Sequence, residues 1–89
     1  MPKSVKKPGQ WEYERALKLA SARKPNFAEA HKFLLKAEQF QHGDATYALA
    51  TWHLFGVQVA KNLKKGIVLL KRATRRGSAD AAFDLAIAY

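Results

Sequence analysis

The chain has 89 residues, 48% of them hydrophobic, a formal net charge of +9 and no cysteine. This is the composition of one small folded domain rather than of a disordered chain. Disulfides, thiolate chemistry and zinc-thiolate sites are excluded, and no apolar run approaches the roughly 20 residues needed to span a bilayer.

The first ten residues, MPKSVKKPGQ, hold two prolines, a glycine and three lysines, and predict a flexible basic arm over 1–10. Charge without a following apolar stretch does not make a secretory signal. With the absence of cysteine, this leads to the expectation of a cytoplasmic protein.

From Trp11, apolar residues recur at helical spacing through Tyr13, Ala16, Leu17 and Ala20, and a first helix ends before Pro25. Asn26 predicts a cap for the second helix, with Glu29 three places on as in a capping box. Its apolar face is Phe27, Ala30, Leu34 and Ala37, widened by Phe33 and Phe40, and Gly43 is expected to end it with a positive φ. Asp44 opens a third helix whose inner face is Ala45, Ala48, Leu49 and Trp52, and Gly56 closes it. Asn62 caps a fourth helix, with Leu63, Ile67, Leu70 and Thr74 in line and Leu69 and Ala73 beside them. Gly66 sits inside that helix, where glycine costs about 1 kcal/mol relative to alanine, so close helix packing is expected there. Gly77 and Ser78 reset the chain for a fifth helix, ADAAFDLAIAY.

A shift of 36 places like on like. Trp11, Tyr47 and Phe83 form one series, and Tyr13, Leu49 and Leu85 another. Leu17 meets His53 and Tyr89, Asn26 meets Asn62, Phe33 meets Leu69, and Leu34 meets Leu70. Lys36 meets Arg72, Ala37 meets Ala73, Ala45 meets Ala81, and Gly66 has Ala30 as its counterpart. A period of this length marks a stacked helical array. The predicted fold is all-α: an α-solenoid of antiparallel helix pairs with about five helices, in one domain over 11–89 divided near 11–44, 45–80 and a partial 81–89.

The residues Ala45, Leu49, Ala50, His53, Gly56, Gln58, Val59, Asn62, Arg72, Ala73 and Gly77 resemble the Sel-one-like repeat, a relative of the tetratricopeptide repeat. Ala81, Leu85, Ala86 and Tyr89 begin a further copy. Ala50 and Ala86 stand for a glycine of the family pattern, His53 for tyrosine, Gln58 for a second glycine, Asn62 for aspartate and Thr74 for alanine. The resemblance implies a superhelix whose concave side binds a protein or peptide partner, with no cofactor. If the first helix of each pair lines that side, the exposed contacts are Glu14, Lys18, Thr51 and His53.

His31, His42 and His53 are spaced eleven apart, so none lies within one turn of another, and neither a metal site nor a catalytic residue is assigned. His42 is expected to meet carbonyls at a helix end. Residues 61–76 carry Lys61, Lys64, Lys65, Lys71, Arg72, Arg75 and Arg76 without an acid. This patch is either a solvated outer face or a surface for nucleic acid or acidic membrane. Against nucleic acid, the aromatics are all assigned to the core. The fifth helix carries Phe83, Leu85, Ile87 and Tyr89, which cannot all face the fourth helix. Self-association through 78–89, a partner chain, or a longer natural array is therefore expected.

Overall fold

The computed structural model describes residues 7–88, with side chains through residue 87. Five helices are found: α1 (Gln10–Ala20), α2 (Phe27–Gln39), α3 (Gly43–Phe55), α4 (Leu63–Arg75) and α5 (Ala79–Ala88). No strand occurs among the described residues. Packing is most extensive between α1 and α2 and between α3 and α4, and α3 also touches α5.

The 36-residue period holds at the level of helix caps. Asn26 Oδ1 accepts the Glu29 N–H at 3.0 Å, and Asn62 Oδ1 accepts the Lys65 N–H at 3.0 Å. Each satisfies one of the donors that a helix start leaves open. Glu29 does not complete a capping box, because the Asn26 N–H already donates to the Leu19 carbonyl. The starts of α3 and α5 are capped in register with one another, whereas α1 has no side-chain cap. His42 Nδ1 accepts the Ala45 N–H at 3.1 Å, and Ser78 Oγ accepts the Ala81 N–H at 3.2 Å.

Two of these details depart from expectation. The imidazole of His42 meets an amide of the next helix, not terminal carbonyls. Gly43 does not end α2: it is the first residue of α3, and Gln41 takes the positive φ of 61°. The period points to the same place, since the equivalent of Gln41 is Gly77, with φ 93°. Gly43 is small for a different reason. A Cβ there would stand 2.8 Å from the Arg76 carbonyl oxygen, at the end of α4. In the loop before α4, Gln58 also adopts a left-handed φ of 62°, the region glycine reaches without steric cost. The start of the chain is drawn in as well. Gly9 is buried and α1 begins at Gln10, so the last residues of the expected arm pack against the fold, while residues 1–6 lie outside the described residues.

The core consists mainly of small side chains, with Leu34, Leu49, Leu69 and Leu70 buried among them. Ala30, Ala37, Ala45, Ala50, Ala73 and Ala81 are all fully buried, with Leu34 and Leu70 the largest enclosed apolar residues. Alanine lets helix backbones approach, and each leucine contributes about 1.5–3 kcal/mol by leaving water. Gly66 extends this logic. A Cβ at Gly66 would lie 2.6 Å from Leu54 Cγ and 3.3 Å from the Ala50 carbonyl oxygen. Gly66→Leu is therefore expected to destabilise the fold by about 1–3 kcal/mol from overpacking, despite a propensity gain of about 1 kcal/mol. Urea unfolding followed by circular dichroism checks this, and a rise in stability would contradict it.

Candidate interaction surface

The basic helix acquires an acid that its own sequence lacks. Glu38, near the end of α2, accepts from Arg76 at 2.8 Å and from Arg72 at 3.1 Å through the same carboxylate oxygen. Arg76 donates further to the hydroxyl of Thr46 at 2.9 Å and to the Glu38 carbonyl at 3.3 Å. Thr46 is fully buried, and its own hydroxyl donates to the His42 carbonyl at 3.0 Å. Arg72 and Arg76 are thus built into the structure, and the patch that faces solvent is made by Lys61, Lys64, Lys65, Lys71 and Arg75. Residues 34 and 38 apart supply these contacts, which is why a scan along one helix missed the acid.

The aromatic residues also sit differently from expectation. Trp11 is 60% exposed, Phe55 76% and Phe83 67%, and Phe27 and Phe40 are exposed as well. Helical spacing marks a face as apolar but does not say whether a neighbour covers it. Trp52 engages two rings, stacked on His31 at 5.7 Å and edge-on to Phe27 at 6.0 Å.

The four residues expected to contact a ligand divide into two pairs. Glu14 and Lys18 line one shallow groove of about 150 Å³ on α1, together with Trp11 and Arg15. The ring of Trp11 rests edge-on against Phe33 at 5.7 Å, which holds one wall of that groove. Thr51 donates its hydroxyl to the Ala48 carbonyl at 2.8 Å, so its polar group is used inside α3. His53 is half-buried, and its Nδ1 is enclosed without a hydrogen-bond partner. Neither residue lines the α1 groove.

Burial pushes all three imidazoles below their ordinary pKa. For His31 the cause is desolvation alone; for His53 it is desolvation, then the positive field of Lys65 and of His31. For His42 desolvation outweighs the opposing pull of Asp44. Its geometry fixes the tautomer. Nδ1 accepts from Ala45, so Nε2 carries the proton and donates to Gln10 Oε1 at 2.6 Å. Tyr47 donates its hydroxyl to Asp84 at 2.8 Å, and that bond, with burial, pushes its pKa up to about 12. Among the described residues no cluster of three potential metal ligands occurs, and no helix is long and apolar enough to cross a membrane.

Set against protein-family models, curated proteins and solved structures, the chain matches none of them.

Two outcomes follow from this geometry. The native pKa of each histidine lies below the ordinary 6.5, so as pH falls the unfolded chain takes up protons first. Stability is fully present above pH 6.5 and is lost as pH drops through the lowered native values. His42→Ser, which copies the Ser78 cap without a titrating group, is expected to lower stability at neutral pH but to flatten this loss. Urea titrations from about pH 8 to about pH 5 measure both effects. Separately, Glu38→Gln is expected to cost about 1–3 kcal/mol, because the mostly buried Arg76 loses its charged acceptor. An unchanged urea midpoint would count against that role for Glu38.

Proposed function

We propose that the chain is a non-catalytic interaction scaffold: an α-solenoid of antiparallel helix pairs, similar to Sel-one-like repeats, that holds a protein or peptide partner. Contacts within three successive helix pairs support the stacking. The start of α1 meets the end of α2 at Gly9 and Ala37, and the start of α2 meets the end of α3 through Phe27 and Trp52. The start of α4 meets the end of α3 at Gly66 and Leu54, while its end meets the start of α3 at Arg76 and Gly43. Caps repeated at 36 residues support the kinship with a helical repeat. A cysteine-free chain of this kind suits a reducing cytoplasm.

The observation that carries the binding reading is the α1 groove. An exposed tryptophan braced by Phe33 stands among Glu14, Arg15 and Lys18. A rigid aromatic anchor ringed by charges of both signs is the kind of feature on which protein interfaces concentrate their energy. Peptides selected from a displayed random library on the immobilised chain test it. Binding measured by calorimetry should weaken about tenfold or more with Trp11→Ala. Affinity unchanged by Trp11→Ala and by Lys18→Ala would place the binding surface elsewhere.

A second reading keeps a specific observation in its favour. Lys61, Lys64, Lys65, Lys71 and Arg75 are all exposed on or beside α4, a surface that suits nucleic acid or an acidic membrane. Titration with mixed-sequence RNA at low salt decides it. Binding that falls steeply as salt rises, and that Lys64→Gln with Arg75→Gln weakens, supports this reading; no binding removes it.

A further inference from the structure

An apolar groove of about 480 Å³ lies on α4, lined by Leu63, Lys64, Ile67 and Val68. Its counterpart in the first copy shows what such a place accepts. Leu63 and Ile67 correspond, 36 residues on, to Phe27 and His31. There the ring of Trp52 packs against both, edge-on to one and stacked on the other. The residue corresponding to Trp52 is Ala88, which brings no ring. Leu63 stands 59% exposed, against 40% for Phe27, and Val68 beside it is 53% exposed.

The next helix has the complementary character. Phe83 and Ile87 are one helical turn apart on α5 and are 67% and 68% exposed. Asp80 follows the adjacent line on the same side and is exposed, while Asp84 is held by Tyr47 of α3. Thus α5 presents an aromatic and an aliphatic side chain beside one exposed acid. The α4 groove is apolar and flanked by Lys61, Lys64 and Lys65. Together these faces expose four large apolar side chains, more than scattered single surface residues account for.

We infer that the occupant of the α4 groove is a second copy of this chain, which inserts Phe83 and Ile87 of its α5 over Leu63, Ile67 and Val68. Asp80 of one copy then faces Lys64 of the other. Phe83 supplies the ring that Trp52 supplies in the first copy. Because α4 and α5 adjoin within each chain, a single two-fold axis forms both contacts at once. This pairing is independent of where a foreign ligand docks, since the α1 groove shares no residue with it.

Sedimentation equilibrium of the 89-residue chain over a micromolar concentration series tests the pairing. A reversible monomer–dimer equilibrium is expected. Phe83→Asp should raise the dimer dissociation constant about tenfold or more, with helical circular dichroism unchanged. Lys64→Glu and Asp80→Lys should each weaken the dimer, and an equimolar mixture of the two variants should recover association, because both of the contacts in the mixed dimer then join opposite charges. A strict monomer at high micromolar concentration overturns the inference. So does a dimer that neither Phe83→Asp nor Lys64→Glu weakens, because that dimer uses another face. Peptide binding that depends on Trp11 is read separately and stands or falls without regard to these results.

Discussion

A Cβ on Gly43 would stand 2.8 Å from the Arg76 carbonyl oxygen, and one on Gly66 would stand 2.6 Å from Leu54 Cγ. The first glycine opens α3 against the end of α4; the second lies at the start of α4 against the end of α3. Together they let these two helices approach closely near both ends, and Ala45, Ala50 and Ala73 are fully buried on the same two helices. Interiors at this density cannot absorb an added methylene without displacing a neighbour. The approach at Gly43 also places the end of α4 beside the start of α3, which is where the polar network of the molecule forms.

That network ties three helices through one carboxylate. Glu38 of α2 takes both Arg72 and Arg76 of α4, and Arg76 continues to Thr46 of α3. Thr46 leads to the His42 carbonyl, and the His42 ring caps α3 while bonding Gln10 of α1. A hydrogen-bonded chain of this kind orients the helix ends relative to one another, since each donor has an acceptor in a set place and each loss leaves a buried group unmet. The cap on α3 therefore has a titratable group at its centre, whereas its counterpart on α5 uses a serine hydroxyl that does not titrate in the same range.

Outside this frame the surface divides by chemistry. The α1 side offers Trp11 among mixed charges, the α4 side offers lysines around an apolar groove, and α5 offers apolar residues beside one exposed acid. Formal charge alone would present residues 61–76 as one uniform positive stripe of seven bases. Two of those seven are neutralised within the fold, so the remaining positive surface sits toward the start of α4 and along its outer line.

The sequence by itself determined the number of helices, their boundaries at Asn26, Gly56, Asn62 and Gly77, and the close approach at Gly66. Those features follow from local rules: a side-chain acceptor three residues before an open amide, a glycine at a positive φ, and small residues repeated at one period. Only the tertiary structure decided which acid meets the basic helix, that His42 caps forward rather than closing the helix behind it, and that Gly43 is small because of Arg76. It also decided which rings are covered. Trp52 is enclosed by α2, while Trp11 and Phe83 belong to the same apolar pattern and remain exposed. Periodicity records the side of a helix that a residue lies on. Whether that side meets another helix or water depends on distant chain segments of other helices, and packing alone brings those segments together.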